Sequence, residues 1–538
     1  MRGGKARPLI VGLLTVFVLT FLVFNADAAD ESRRGGILRY AFNVDPENWA
    51  PHNVLACPNQ LVMAQIWSAL LRIDGKGEIV GDLAESWKWV DNKTIVFQLR
   101  KGVKWHNGEP LTAEQIVQSE RHRLDPQRSI YAKALVDAGI DKWEVLNAGT
   151  IKLSLKRPNV TILRWLTLVP GQAFVLHPKW DEKTSGRSAE ATIGTGPFKY
   201  KSYEPGAKVQ VVRNPDYFIK GMPYLDGIDF MIIPDVEARI TGIRSGQVDM
   251  FADMDSTAVP ALRNNPDIYV ASNKSFYGAR LPLDLYSAPT NDVRVRHALN
   301  FAINREMLVE AALAGEGTPI WGGMIPPGRF GYAKELDGYY RYDPKKAKAL
   351  LAEAGWTDTK GDGKLYKDGK ALTLTYLTYN GEWWIKVAEL VQANLQEIGV
   401  TVELEAKPWA QYRPIRDKSS QLPEGTPGVA NILGATLWGL ELSDFPVYAV
   451  PGSGYDFNRY NNPKVRDLLQ QALEMPDTAK REGLLRQAQV IMQQDAPHIT
   501  PVWINRNEVV RKRVKNYSVL GQDGCYGTLI SDTYLDPK

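Results

Sequence analysis

The chain has 538 residues, a formal net charge of +4 and 23% charged residues, and no Lys/Arg run is long enough to project a strong field. That balance argues against a polyanion binder, so no nucleic-acid partner is expected. A chain of this length exceeds one hydrophobic core and should divide into two or more domains.

The N-terminus joins Arg2, Lys5 and Arg7 to an apolar run from Leu9 to Phe24 and then to Ala26-Asp27-Ala28. A basic n-region, an apolar h-region of about 15 residues and a small-x-small site make a secretory signal peptide. The run falls short of the about 20 apolar residues needed to span a bilayer. Cleavage after Ala28 and a periplasmic location are expected. No Cys follows that site to carry a lipid. Export would put the two cysteines, Cys57 and Cys525, in an oxidising compartment, where pairing and separate thiols are both open.

Gly36 to Ala41 reads as a strand running into Asp45-Pro46 and Pro51-His52. Ala64 to Leu71 is expected to be a helix, and Arg72 to Ile79 a hairpin. From Gly81 to Val117 the chain reads GDLAESWKWVDNKTIVFQLRKGVKWHNGEPLTAEQIV. Trp87, Trp89 and Val90 suit a strand, Asp91-Asn92-Lys93 a turn, and Thr94 to Leu99 a half-buried strand. Asn107-Gly108 is a tight-turn pair. Thr112 and Gln115 form a capping box that opens a helix.

Gly194-Thr195-Gly196-Pro197-Phe198 lacks the GK[ST] ending of a phosphate loop, and Pro197 removes a donor, so nucleotide binding is not expected. Lys208 to Arg213 and Gly227 to Ile233 read as strands, and Val236 to Ser245 as a helix stopped by Gly246. Val293 to Leu308 has helical spacing at Val295, Ala298, Leu299, Ala302 and Ile303. Asp343-Pro344 opens a helix closed by Gly355.

Asp358 to Lys364 looks like the start of a calcium loop, but Lys360 stands where an acid is needed and Gly369 where the twelfth-position Glu should be; a turn is expected. Leu372–Thr378, Trp383–Ile398 and Val400–Glu405 make a βαβ unit with a parallel sheet. Pro463 to Gln494 holds two helices. The cluster Arg511-Lys512-Arg513 is expected to be a solvated face.

The run 81–117, the GTGPF at 194–198 and DVRVRHALNFAINRE at 292–306, in this order, resemble the extracellular solute-binding proteins of the peptide/nickel type, the receptors of ABC importers. The resemblance covers nearly all of residues 35–520. It implies an α/β two-lobe periplasmic binding protein fold (cluster C type, with an extra subdomain in the first lobe) hinged on two crossing strands, Ile268 to Phe276 crossing into the second lobe and Thr500 to Trp503 returning. Lobe I would comprise 29–75, 195–274 and 503–538, the extra subdomain 76–194, and lobe II 275–502. A monomer is expected, with an inner-membrane permease/ATPase complex as partner and no cofactor.

The six His residues make no HxxxH, HExxH or HxH pattern, so no metal site is expected. No GxSxG elbow is present either, and no catalysis is expected. The segment Leu437 to Pro446, LWGLELSDFP, resembles the GW-x-A-D-Y-x-x-P segment of the family. There the Asp pairs with a ligand ammonium. Aligned from Trp438 without gaps it becomes Glu441, with Asp444 as the alternative acid, because the Pro comes one residue late; Trp438 and Gly439 are candidate ligand contacts in the same segment. Strand addition of an extended ligand would use Leu55, Ala56 and Cys57.

The family's oligopeptide binders carry a basic residue before this segment, and residues 431–437 contain none, so Arg280, Arg413 and Arg416 are the candidate carboxylate partners. Tyr277, Trp383, Trp384, Trp409 and Tyr455 are candidate walls. A short peptide or an amino-acid conjugate such as an opine is the expected ligand. A nickel or other metal-chelate or sugar-conjugate binder is the rival within the family. A secreted glycan hydrolase or a secreted chaperone are the rivals from other classes.

Overall fold

The computed structural model describes residues 32–46, 49–53, 57–168, 173–180, 188–253, 258–438, 456–519 and 530–536. The expected signal peptide, Cys525, Leu55 and Ala56 lie outside them, and Cys57 is described by its backbone alone.

Strand β1 (Ile37–Phe42) enters the first sheet, and helix α1 (Cys57–Ile66) follows. The helix lies earlier than expected. Pro58 sits in its first turn, where a fixed φ is pre-organised and a missing N–H costs nothing. By Leu71 the chain is already in a short hairpin. Strand addition through Leu55, Ala56 and Cys57 therefore fails at Cys57, which is helical.

A four-stranded antiparallel sheet comes next, built from β2 (Ala84–Asp91), β3 (Thr94–Leu99), β4 (Ile140–Asn147) and β5 (Thr150–Leu155), in the order β2-β3-β5-β4. Helix α2 (Ala113–Arg123) begins at the expected capping box: Gln115 N donates to Thr112 Oγ1 (3.3 Å) and Thr112 N to Gln115 Oε1 (3.0 Å). These elements enclose a core of their own around Ile95, Phe97, Trp105 and Trp143.

The GTGPF motif is a packing device. Its glycines rest on the end of α1, and a Cβ on Gly194 would lie 1.9 Å from the Ile66 carbonyl oxygen. Gly196 N donates to that same oxygen (2.8 Å). His106 seals the contact: its Nδ1 accepts from Gly194 N (3.2 Å) and its Nε2 lies 3.1 Å from Gly196 O. Burial first, then the Lys199 ammonium, pulls the His106 imidazole down to about 4, against the raising effect of the Gly196 carbonyl.

Below about 6.5 an unfolded His binds a proton that folded His106 refuses, so stability falls with pH until about 4, by roughly 3 kcal/mol from this group. The stability advantage of the wild type over His106→Gln should shrink by about that amount between pH 7 and pH 4. Urea denaturation at both pH values measures it, and a constant gap would contradict the assignment.

Strands β6 (Phe198–Glu204), β7 (Lys208–Arg213), β8 (Gly227–Ile232) and β9 (Met250–Asp253) complete the first sheet with β1. β1 pairs in parallel with both β8 and β9. Between β8 and β9 lies α4 (Val236–Ser245), with α3 (Ala132–Asp137) earlier in the chain. Asp235 caps α4 and Gly246, at φ 78°, ends it as expected.

After α5 (Val259–Leu262) comes β10 (Ile268–Pro282), which runs antiparallel to β17 (Val502–Arg511) from Ile268↔Arg511 to Gly278↔Trp503. These two strands continue the first sheet and also carry β11 (Gly317–Pro319) and β15 (Ala435–Trp438) at their other ends. One end of the pair thus lies with the core of Tyr40, Phe230 and Met250, the other with a core of Leu281, Leu299 and Val391.

The expected helix over 293–308 is two helices, α6 (Val293–Phe301) and α7 (Arg305–Leu313). Asn304 breaks it. Its side chain accepts from Met307 N (3.0 Å), and its own N–H is taken by Asn394 Oδ1 (2.8 Å). Helix α8 (Pro344–Glu353) starts at Asp343 as expected.

The βαβ unit is β12 (Thr373–Tyr379), α9 (Glu382–Glu397) and β13 (Thr401–Lys407), with β12 and β13 parallel; β14 (Ile432–Leu433) adds a third parallel strand on the other side of β12. Helix α10 (Trp409–Gln421) follows β13 directly. Helices α11 (Pro463–Glu474) and α12 (Thr478–Asp495) pack with Met324 and Trp503, and β16 (His498–Ile499) leads back to β17.

The Asp358 turn is closed by its own backbone, with Gly361 N (2.7 Å) and Gly363 N (3.0 Å) donating to the Asp358 carboxylate. Arg511 and Arg513 are not a solvated face. Arg511 donates to the Ile243 carbonyl (2.8 Å) and Arg513 Nε to the buried Asp249 (2.9 Å), so only Lys512 is exposed. Among the described residues no helix is long and apolar enough to cross a membrane.

Candidate functional site

In an open parallel sheet, ligands gather at the carboxyl ends of the strands. Here β12 ends at Tyr379, β13 runs through Lys407 to Pro408 and Trp409, and β14 ends at Leu433, so all three deliver side chains to one edge. The edge is aromatic. The Tyr379 ring lies 5.2 Å from Trp384, 5.2 Å from Trp409 in a T-shaped pair, and 5.9 Å from Tyr412. The Tyr412 hydroxyl donates to the Gly434 carbonyl, tying α10 to the chain beyond β14. Trp409 is 46% exposed, whereas Trp384 is 1% and Trp383 4% exposed. Trp409 is therefore partly open to solvent, and Tyr379 joins it to the buried pair Trp384 and Trp383.

Cations complete the edge. The Arg416 guanidinium sits 5.0 Å from the Trp409 ring and 4.8 Å from Phe457, and pairs with Asp417 at 2.6 Å. Arg413 is exposed and pairs with the same Asp417 (3.4 Å). Arg280 is fully buried, not solvated, and lies over Phe457 at 5.5 Å. Tyr277, 4% exposed, meets Trp383 edge to face (5.7 Å) and is the cross-strand partner of Trp438.

Gly439, Glu441, Asp444 and Tyr455 lie outside the described residues, as does the Trp438 side chain. The described residues that bracket them, Trp438 and Asp456, nonetheless belong to this neighbourhood: Trp438 is registered against Tyr277, and Asp456 adjoins Phe457. Burial pushes the Asp456 carboxyl up to about 7, against the lowering effects of the Tyr460 N–H, Arg280 and Arg459. Burial first, then Arg280, holds His498 well below its ordinary value.

The structure groups Tyr277, Trp383, Trp384, Trp409 and Arg416 at one end of the second core, with Arg280 on the same strand as Tyr277. It sets Arg413 on the exposed side of α10. Sequence reading missed Tyr379, Tyr412, Asp456 and Phe457. Two of them were findable: Tyr379 closes the first strand of the βαβ unit, and Tyr412 lies one turn into the helix after the second. The arrangement supplies flat apolar faces, hydroxyls and cations, the means of holding a small solute.

The chain is 28% identical over 511 residues to heme-binding protein A of Haemophilus influenzae, covering 87% of each chain. It is 28% identical over 470 residues to the oligopeptide-binding protein AppA of Bacillus subtilis, covering 84% of this chain and 83% of that one. Among solved structures, the binding protein AgaA of Agrobacterium tumefaciens R10, in complex with agropinic acid, superposes with a TM-score of 0.78 at 23% identity, over 94% of this chain and 99% of that one. That likeness identifies the fold as the two-lobe α/β periplasmic binding protein fold. These relatives are binding proteins. Residues 78–426 match the model of the bacterial extracellular solute-binding proteins, family 5 (middle region), and the chain belongs to that family.

Proposed function

We propose that this protein is the periplasmic receptor of an ABC importer, and that it captures a short peptide or an amino-acid conjugate such as an opine. Residues 1–28 direct export and are removed. Lobe I (29–75, 195–274 and 503–538, with 76–194 as its extra subdomain) and lobe II (275–502) close on the solute and present it to an inner-membrane permease. The observation that carries this reading is the β10/β17 pair, two long strands side by side whose opposite ends belong to different cores. A two-strand connection permits hinge motion, and the solute drives closure only by binding the closed form better.

The aromatic edge at Tyr379, Trp409 and Arg416 supplies one wall, and Glu441, or Asp444 in its place, meets the solute's ammonium group. The relatives named for oligopeptide and agropinic acid support an amino-acid-derived ligand. Small-angle scattering with a panel of short peptides and opines tests the reading, and at least one should compact the protein. Glu441→Ala should then weaken binding by about 3 kcal/mol, the scale of a broken buried charge pair. No compaction with any amine-bearing solute would sink the proposal, and unchanged affinity in Glu441→Ala would remove Glu441 as the anchor.

A further inference from the structure

The strand β17 is buried over nine of its ten residues, yet Asn505-Arg506-Asn507-Glu508 inside it is wholly polar. A buried polar run needs partners. Glu508 finds Tyr40 (2.8 Å), Tyr517 and Arg506 within the first core. The two asparagines turn to Glu316, in the link between α7 and β11: Asn507 Nδ2 donates to Glu316 Oε2 (3.2 Å), Asn505 Nδ2 to the same oxygen (3.4 Å), and Asn505 N to the Glu316 carbonyl (3.1 Å). The other carboxylate oxygen, Oε1, pairs with Arg263, the residue that ends α5. Helix α5 packs in a core with Ile268 and Val509 on the first side of the crossing, whereas α7 packs with Leu281 and Leu299 on the second.

The position of this bracket is telling. The β10/β17 ladder slips between Asn273↔Arg506 and Tyr277↔Ile504, so that four residues of β10 advance against two of β17. An interrupted ladder is where a strand pair bends and twists most easily. Asn505 stands within the slip and Asn507 just beyond it, where Ser272 Oγ also reaches Asn507 Oδ1 (2.5 Å). Glu316 therefore spans the weak point of the crossing, held from one side by its own chain and from the other by Arg263.

We propose that Glu316 and Arg263 form a latch across the hinge that holds the lobe angle seen here and so sets the affinity for the solute without touching it. They are positioning residues, and the inference rests on the two-lobe reading above. The Glu316 side chain is 10% exposed and that of Arg263 58%, so the ion pair is partly screened and its strength should respond to salt.

The test measures the distance between nitroxides introduced at the exposed Lys201 and Lys370, through a ketone-bearing non-natural residue, in the solute-free protein at low and high salt. In the wild type the distance distribution should change with salt. In Glu316→Gln and in Arg263→Gln it should be broadened or displaced at low salt and insensitive to added salt, and the double variant should match the single ones. Solute affinity should differ from the wild type by about two- to fivefold in both. Arg263→Gln alters an exposed side chain, so it keeps the test alive if Glu316→Gln does not fold. Distributions that superpose on the wild type at both salts would overturn the latch. That outcome is separate from failure of the two-lobe reading, which shows as a wild type that compacts with no solute.

Discussion

Trp384→Ala should destabilise the protein by about 3–5 kcal/mol, the usual cost of emptying a buried indole site. Trp384 is 1% exposed, 4.2 Å from Trp383 and 5.2 Å from Tyr379, inside the largest apolar cluster of the second core. Trp409→Ala should behave in the opposite way. Its ring is 46% exposed, so its loss costs about 1 kcal/mol of stability, chiefly the contacts with Tyr379 and Arg416. Its effect should fall on solute affinity instead. Urea denaturation and a binding titration on the two variants separate the roles. Equal loss of stability in both would mean that Trp409 is core and that the aromatic edge is not a wall.

Gly194→Ala should cost about 3 kcal/mol or more, at the upper end of overpacking, because the new methyl would lie 1.9 Å from a backbone oxygen and 2.7 Å from the carbon that bears it. Neither atom belongs to a flexible side chain that can swing away. The neighbouring interactions would fail together, since His106 and Trp67 both bond to this loop, Trp67 through Ile193 O at 3.1 Å. Gly483→Ala is the internal comparison. It lies within α12, nothing approaches its Cβ position within 4 Å, and it should stabilise by about 0.5–1 kcal/mol. Midpoints of chemical denaturation decide both. A tolerated Gly194→Ala would mean that the loop moves freely away from α1, and the motif would lose its packing explanation.

Much of this molecule is written in contacts within three or four residues, and that part is legible in the sequence. Thr112 and Gln115 close their capping box, Asp343 and Pro344 open α8, Asp235 and Gly246 bound α4, and the βαβ unit around α9 follows its apolar periods. Caps and periods act locally, so no distant residue is needed to read them. The crossing of the 270s with the 500s was also anticipated, though from family resemblance and not from any local signal.

Tertiary structure decided the rest. Asn304 splits an otherwise continuous helical pattern because Asn394, ninety residues on, takes its N–H. Arg513 is drawn partly out of solvent because Asp249 lies buried beside it. Trp384 and Trp409 look alike in sequence, but one faces a closed core and the other an open edge. A tryptophan's periodicity says that it can be buried, but only the packing of strands far apart in the chain says which face is left for a ligand. The sequence alone determined the local elements and the family, because both are carried by short-range pattern. The hinge bracket at Glu316 and the aromatic edge needed the folded chain, because their partners come together only when the sheet has formed.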